Sequence, residues 1–196
     1  MGWAYGNRYL SQSEMENNAR IVQSYGMTEG WTRNAICAIL GNMEEESTIN
    51  PGIWGDYDSS NIPHAYGLTQ WNPYTKYSNW AGSGWQNNGN KQLARISYEI
   101  TNNLQWFYNS QIGMAPPYTF SAFVTDSTTA LGTMADYFCW FYEHPTNPNQ
   151  PARAANAQYW YDFLNWTDPP DPPPPDPPSH LPYWLLFKFR GRKIQA

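Results

Sequence analysis

Residues 32–52 read TRNAICAILGNMEEESTINPG, and this stretch decides the central element of the fold. Its apolar residues recur at intervals of three and four: Ala35, Ile36, Ile39, Leu40 and Met43. This spacing is typical of one buried face of an α-helix. We expect the helix to start near Thr32 and to end around Ser47, because Pro51 restricts the residue before it and cannot continue the helical hydrogen bonds.

Three consecutive glutamates close this helix. At about 100° per residue, Glu46 falls roughly 20° from Ile39 around the helix axis, whereas Glu44 and Glu45 lie about 120° to 140° away. We therefore expect Glu46 to face the apolar side and the other two to face water. A carboxylate beside apolar groups loses solvation, which raises its pKa and suits it to general-acid catalysis. The alternative is a set of solvated glutamates that oppose the helix dipole.

The remaining patterns predict a mainly α domain over residues 1–167. Ser11 and Glu14 form a capping-box pair at the start of the first helix, and Gly26 is well placed to end that helix. Periodic apolar residues predict further helices at about 91–108, 128–142 and 152–164, and residues 52–75 have room for a short β-hairpin.

A polyproline segment, DPPDPPPPDPP at residues 168–178, divides the chain. Proline fixes the backbone and removes hydrogen-bond donors, so this segment is expected to be an extended linker. Residues 1–167 carry 7 basic and 13 acidic groups, whereas residues 179–196 carry 4 basic and no acidic groups. We interpret this aromatic and basic tail as a docking segment for a virion protein or for an anionic envelope surface.

Composition disfavours several classes of function. The formal net charge is -5, which argues against nucleic acid as a partner. The two cysteines, Cys37 and Cys139, are expected to be buried and reduced, and three scattered histidines lack the spacing of a metal site, so neither metal nor cofactor is expected. The N-terminus shows no signal-peptide pattern, and no apolar run is long enough to span a membrane.

Aromatic residues are unusually abundant, with 11 Trp, 15 Tyr and 8 Phe. The segment AYGLTQW at residues 65–71 combines several features that suit a sugar cleft. Gly67 permits close approach of the backbone, Gln70 supplies an amide, and Trp71 supplies a stacking face. An acid at the end of the preceding helix would complete such a cleft.

Three segments, in this order, carry a family resemblance: GNMEEESTINPGIW at 41–54, AYGLTQW at 65–71, and FYEHPTNPNQPARAANAQYWYDFL at 141–164. Over about residues 7–166 the chain resembles the phage tail lysozyme family, within the wider group of goose-type lysozymes and lytic transglycosylases. The resemblance implies an α+β lysozyme-like fold and cleavage of the β-1,4 bond between N-acetylmuramic acid and N-acetylglucosamine. The family's catalytic glutamate directly precedes the serine of its E-S-x-x-N-P motif, which is Glu46 here.

The residue that supplies the second catalytic carboxylate is less well defined by the sequence. Asp58 is our first candidate, Asp56 is the alternative in the same loop, and Glu143 is a weaker third; Arg153 is expected to form a structural ion pair with Glu143. We assign the following residues to substrate binding: Ser47, Tyr66, Gly67, Gln70, Trp71, Tyr142 and His144. For Tyr142 and His144, helix packing is an equally good interpretation.

The sequence thus predicts a peptidoglycan-cleaving muramidase that a phage carries in its virion or releases into the host at lysis. Two alternatives stay open. A lytic transglycosylase would act on the same bond with a single glutamate, and a non-catalytic relative would grip glycan or a virion component without cutting it.

Overall fold

The computed structural model describes residues 2–57 and 64–166. Its helices are α1 (Gln12–Thr28), α2 (Arg33–Ser47), α3 (Thr75–Ala81), α4 (Gly89–Thr101), α5 (Phe120–Thr125), α6 (Leu131–Phe138) and α7 (Pro151–Phe163). A 3₁₀ turn covers Gly55–Tyr57, and a π-helix covers Cys139–Glu143 directly after α6. The domain is therefore mainly helical, as predicted. The predicted linker at 168–178 and tail at 179–196 lie outside the described residues.

Helix α2 is the centre of the domain. It begins where predicted, with the Thr32 side chain accepting a hydrogen bond from the Ala35 N–H at 3.3 Å, and it ends at Ser47. It packs against α1, α5, α6 and α7. Every residue from Ala35 to Met43 is buried, so the single buried face that we expected is too narrow a description. A helix with neighbours on several sides needs small residues between the large ones, and Gly41 is one of them.

Helix α1 begins as predicted but ends later. The backbone N–H of Ser11 donates to the Glu14 carboxylate at 2.9 Å, which is the reciprocal bond of a capping box. The predicted end at Gly26 was wrong, since the helix continues to Thr28. Gly26 is instead a packing position, because a Cβ atom there would lie 2.7 Å from the Ile36 side chain. The left-handed residue after the helix is Gly30, with φ of 76°.

The helix predicted at 91–108 is shorter than expected. Helix α4 ends at Thr101, and the Leu104 N–H turns back to bond the Glu99 carbonyl at 2.8 Å. Asn103, with φ of 50°, stops the helix there. Leu104 and Phe107, which the pattern placed on the buried stripe, are exposed. The apolar spacing continued past the point at which the backbone left the helical region.

The predicted helix at 128–142 consists of α6 and the π-helix that follows it, and α7 closely matches the prediction for 152–164. The short helices α3 and α5 were not predicted. The hairpin expected within 52–75 is reduced, in the described part of that segment, to two isolated antiparallel bridges, Trp54–Tyr66 and Tyr66–Trp71. The first bridge holds the loop after α2 against the loop before α3, and the second lies within the loop before α3.

Cys37 and Cys139 are both buried free thiols, as predicted. Burial raises the pKa of each thiol to about 12, so both are protonated at neutral pH. Within residues 2–57 and 64–166, no helix has the length and apolar character needed to cross a bilayer.

Candidate active site

Glu46 lies in the last turn of α2, and the chain after it fixes its position. Thr48 takes the left-handed conformation with φ of 55°, which stops the helix. The Ser47 hydroxyl oxygen lies 3.0 Å from both the Met43 and the Leu68 carbonyl oxygens, which share its single proton, and it accepts the Asn50 N–H at 3.1 Å. The end of α2 is thereby tied to the loop at residues 64–72, so the backbone that carries Glu46 is held from two sides.

Helix α7 supplies the partner of Glu46. Arg153 is buried, and its Nη2 atom donates to Glu46 Oε1 at 2.5 Å. The other guanidinium nitrogens are also used, since Nη1 donates to Asn42 Oδ1 at 2.9 Å and Nε donates to Gln150 Oε1 at 2.7 Å. Arg153 was expected to pair with Glu143, and this ion pair is instead made to Glu46. The guanidinium is locked in place before any ligand binds.

The close approach of α7 to α2 depends on Gly41. A Cβ atom at this position would lie 2.6 Å from the backbone nitrogen of Ala157 and would also overlap the backbone oxygen of Arg153. Neither backbone atom can rotate away, as the end of a flexible side chain can. The absence of a side chain at residue 41 therefore determines where the Arg153 guanidinium meets α2.

The surroundings of the glutamate triplet differ from the helix-phase prediction. Glu46 does turn toward the protein, with its side chain 21% exposed, but it meets a guanidinium and not the apolar wall that we expected. Glu45 faces water and accepts a hydrogen bond from Asn156 at 2.8 Å. Glu44, predicted to face water, is half-buried and accepts the Trp160 indole N–H at 2.8 Å. Burial raises the pKa of Glu44, and the Trp160 bond opposes that shift.

Glu143, the last residue of the π-helix, contributes a further carboxyl group to the cleft that Glu46 lines. It is half-buried, and its Oε1 atom is enclosed without a hydrogen-bond partner among the described residues. Burial raises the pKa of Glu143 well above its usual range; repulsion by Glu46 adds to this shift and Arg153 opposes it. Glu143 therefore keeps its proton under conditions in which an exposed glutamate would lose it.

Glu46 and Glu143 line the same cleft, which has a volume of about 510 Å³. Trp54 and Tyr57 give it aromatic walls, and Arg153 lies beside both carboxyl groups. The Gln70 amide, which was predicted for this site, also lines it. Its nitrogen donates to the Gly67 carbonyl at 3.0 Å and to the Ile53 carbonyl at 3.3 Å, so the amide is oriented by the scaffold.

The first candidates for the second carboxylate have different outcomes. Asp56 lines the cleft from the 3₁₀ turn, with φ of 56°. Asp58 lies outside the described residues, so its assignment stays a prediction. In the described part of the chain no three His, Cys, Asp or Glu side chains come together as a possible metal site.

Comparison with known proteins agrees with this geometry. Residues 17–164 match the phage tail lysozyme family. The chain belongs to the phage tail lysozyme family. It is also 45% identical, over 160 residues and 81% of its length, to morphogenesis protein 1 of Bacillus phage B103. The aligned region covers only 42% of that relative. The resemblance drawn from the three sequence segments is confirmed.

Three residues assigned to substrate binding hold other positions in this member of the phage tail lysozyme family. Ser47 is completely buried and fastens α2 to the loop at 64–72. Trp71 and Tyr142 are only 2% and 4% exposed, and both bind the carboxylate of Glu99. All three side chains are enclosed by protein in the described structure, and their assignment to substrate binding stays a prediction.

The other three assigned residues also contribute mainly to the scaffold. Tyr66 packs behind Trp54 with ring centroids 4.7 Å apart. Gly67, with φ of 82°, leaves space that the Gln92 side chain fills. His144 stacks on Phe107 at 4.1 Å and bonds the Phe141 carbonyl, and it does not line the cleft within the described residues. Burial lowers the pKa of His144, so its ring favours the neutral form.

Glu99 was missed by sequence reasoning. It is completely buried on α4 and accepts bonds from the Trp71 indole at 3.2 Å, the Tyr142 hydroxyl at 2.5 Å and Arg95 Nε at 2.8 Å. Burial raises its pKa, and all three donors oppose that shift. A signal was present, because Glu99 lies three residues after Ile96 and thus on the apolar face of α4.

Proposed function

We propose that this protein is a phage muramidase that cleaves the β-1,4 bond between N-acetylmuramic acid and N-acetylglucosamine in bacterial peptidoglycan. The observation that supports this function best is a pair of carboxyl groups, Glu46 and Glu143, in one aromatic-walled cleft beside a fixed arginine. Two carboxyl groups with different environments are the usual machinery of glycoside hydrolysis.

In the proposed reaction Glu46 is the general acid. It gives its proton to the bridging oxygen while the bond from that oxygen to the sugar carbon breaks. Positive charge develops on the sugar carbon, and a water molecule adds to it and releases a proton. That proton returns to the carboxyl pair, which restores the starting state. Glu143 takes the place of Asp58 as our favoured second carboxyl group, because it lies in the cleft next to Glu46.

The environments of the two groups also support an exchange of roles. Arg153 Nη2 donates to Glu46 Oε1, and this contact stabilises a carboxylate at that position. Burial and Glu46 both raise the pKa of Glu143, which favours its protonated form. In this second assignment Glu143 protonates the leaving oxygen, and the Glu46 carboxylate stabilises the positive charge or activates water.

The first experiment tests the activity itself. Purified peptidoglycan is digested with wild-type protein, with Glu46→Gln and with Glu45→Gln, and the products are identified by mass spectrometry. We expect reducing-end disaccharide products from the wild type, a rate about 100-fold to 10,000-fold lower for Glu46→Gln, and near wild-type activity for Glu45→Gln. Glu45 is a matched control because it lies one residue away on the same helix but faces water.

Each other outcome has a defined meaning. Anhydro-muramic products would show that the protein catalyses the lytic transglycosylase reaction and not hydrolysis. Peptidoglycan binding without any cleavage would indicate a non-catalytic glycan-binding protein and would refute the enzymatic proposal. Equal activity of wild type and Glu46→Gln would refute the role of Glu46.

A second experiment assigns the roles of the two carboxyl groups. Dinitrophenyl glycosides of N-acetylglucosamine oligomers have a leaving group that departs without a proton, so loss of the general acid matters little for them. Glu46→Gln should retain activity on these glycosides while it loses activity on peptidoglycan. If Glu143→Gln shows that behaviour instead, Glu143 is the acid and the second assignment holds.

We further propose that the protein acts from the virion. The relative in Bacillus phage B103 is named a morphogenesis protein, which fits a component of the assembled particle. The family match fits a tail component that opens the cell wall. Immunodetection in purified particles would test this location, and protein found only in the lysate would favour a role at lysis.

A further inference from the structure

A smaller pocket adjoins the cleft of Glu46, and Gln150 lines both. This pocket, which we call the Asp136 pocket, has a volume of about 340 Å³, and its lining includes Ile112, Asp136, Trp140, Pro148, Gln150 and Pro151. Gln150 is fixed at the junction, because its Oε1 accepts Arg153 Nε at 2.7 Å and its amide nitrogen donates to the Asn147 carbonyl at 2.9 Å. A substituent of a ligand in the cleft can therefore reach the Asp136 pocket past one side chain.

Asp136 is the charged group of this pocket that the proposed reaction does not use. It lies on α6 and is half-buried, and its carboxylate has no hydrogen bond or ion pair with the described residues. Burial raises the pKa of Asp136, and no partner among the described residues opposes that shift. A carboxylate that is partly removed from water without a cation is costly, so a positively charged ligand group would be stabilised beside it.

The walls around Asp136 are apolar and held in place. The Trp140 indole N–H donates to the Pro148 carbonyl at 2.9 Å, which ties the π-helix to the loop before α7. The Asn109 amide donates to the Trp140 carbonyl at 2.7 Å, and Asn109 also forms the antiparallel bridge with Met114 whose turn carries Ile112. The Asp136 pocket is therefore formed by the folded chain before any ligand binds.

The chemistry of the lining selects a ligand class. Asp136 is the one charged residue among those that line the pocket in the described chain, and the others are apolar side chains and the neutral amides of Asn149 and Gln150. An anion would be repelled by Asp136 and would find no cation in this lining. A single carboxylate beside apolar walls suits an ammonium group at the end of a methylene chain, as in a lysine side chain.

We propose that the Asp136 pocket binds the side-chain ammonium group of the peptide stem on the N-acetylmuramic acid unit that occupies the cleft of Glu46. The inference rests on the proposed function for the identity of the substrate, whose peptide stem commonly contains a diamino acid. Asp136 pairs with the ammonium group, and Trp140 and Ile112 cover the methylene chain. The protein thereby favours stems with a free amino group over cross-linked stems, in which that nitrogen is part of an amide.

The test measures binding without cleavage. In the full-length Glu46→Gln background, calorimetry compares two soluble disaccharide tripeptides, one with a free lysine side chain and one with the same side chain acetylated. Acetylation removes the positive charge and leaves the sugars and the peptide backbone unchanged. The free amine should bind about fivefold more tightly, and Asp136→Asn, which keeps the size of the side chain, should abolish this preference.

Asp162→Asn is the matched control. Asp162 is an exposed carboxylate on α7 that lines neither the cleft of Glu46 nor the Asp136 pocket. Its replacement changes the net charge by the same amount as Asp136→Asn, so it should leave the preference for the free amine unchanged. Circular dichroism of each variant confirms that the fold is intact.

The outcomes separate the two proposals. Equal affinity for the free and the acetylated ligand would overturn the ammonium site even if the wild type cleaves peptidoglycan, and so would a preference that survives in Asp136→Asn. Loss of the preference in Asp162→Asn to the same extent, or no binding of either ligand, would also overturn it. A preference that depends on Asp136 in a protein whose wild type cleaves nothing would support the ammonium site while refuting the muramidase.

Discussion

Replacing Glu143 with glutamine should make the fold more stable at neutral pH. Burial and the charge of Glu46 raise the pKa of Glu143 in the folded protein. Between the unfolded and folded pKa values the folded state therefore binds more protons than the unfolded chain, so stability falls as the pH rises. The stabilising contribution of the protonated group is complete below the unfolded pKa and is lost as the pH rises through the folded pKa.

The size of this effect follows from proton linkage. One titrating group changes the free energy of unfolding by at most about 1.4 kcal/mol for each pH unit. For a domain of this size, 1 kcal/mol shifts Tm by about 2–4 °C. The Tm difference between Glu143→Gln and the wild type should therefore grow by roughly 3–5 °C per pH unit above about pH 5. Glutamine has nearly the shape of the protonated acid, so packing is preserved.

The assay is thermal unfolding followed by circular dichroism between pH 4.5 and pH 8. Other shifted groups, such as Glu44 and Glu99, remain in both proteins and cancel in the difference. Glu45→Gln is the control and should follow the wild-type curve. If the Tm of the wild type and the Tm of Glu143→Gln changed with pH in parallel, the proton-linkage argument would be refuted. A variant that gains stability but loses activity would show that Glu143 is kept for catalysis at a cost in stability.

Two further variants test the scaffold. Gly41→Ala should destabilise the domain by about 1–3 kcal/mol and lower activity, because the new methyl group pushes α7 and Arg153 away from α2. Urea unfolding would measure the loss of stability, and a peptidoglycan assay would measure the loss of activity. Unchanged stability would contradict the close packing of α7 against α2. Glu99→Ala should cost about 3 kcal/mol or more in urea unfolding, because three buried donors lose their acceptor. Tyr142→Phe removes only one of those bonds and should cost about 1 kcal/mol.

The sequence was most informative about features that depend on residues close together in the chain. The spacing of apolar residues and the cap at Thr32 defined α2, and helix phase turned Glu46 toward the protein, as the structure confirms. The partner of Glu46 could not be predicted in this way. Arg153 lies 107 residues further along the chain, and its position depends on the contact between α2 and α7 at Gly41. Helix phase gives a direction but not the group found in that direction.

Aromatic residues were harder to interpret. Trp71 and Tyr142 have the side chains that a sugar cleft uses, and the family motifs contain them, yet both bind the buried Glu99. Of the described aromatic residues that line the cleft, Trp54 and Tyr57 belong to the loop after α2 and Tyr9 lies before α1. A tryptophan or tyrosine suits either setting, because each combines a large apolar ring with one polar atom. Composition therefore predicted an aromatic cleft without identifying its members.

The contrast between Glu99 and Glu143 is the strongest structural argument for the site. Both carboxyl groups lose solvation, but the fold gives Glu99 three hydrogen-bond donors and leaves Glu143 Oε1 without a partner in the described chain. Native proteins rarely leave a buried polar atom unpaired, and such atoms with raised pKa values concentrate at functional sites. Glu99 has the arrangement of a structural carboxylate, whereas the unpartnered Oε1 of Glu143 supports the proton-transfer role that we propose for it.

The π-helix explains how Glu143 reaches the cleft. The His144 N–H bonds the Cys139 carbonyl at 3.0 Å, five residues back, which is one residue wider than an α-helical turn. In an uninterrupted α-helix each residue advances by about 100°, so removal of the extra residue would rotate the following side chain by roughly that angle. The widened turn keeps Tyr142 on Glu99 and places the adjacent Glu143 beside Glu46 and Arg153. Two neighbouring residues of the π-helix thus have different positions, Tyr142 as a scaffold contact and Glu143 as a cleft residue.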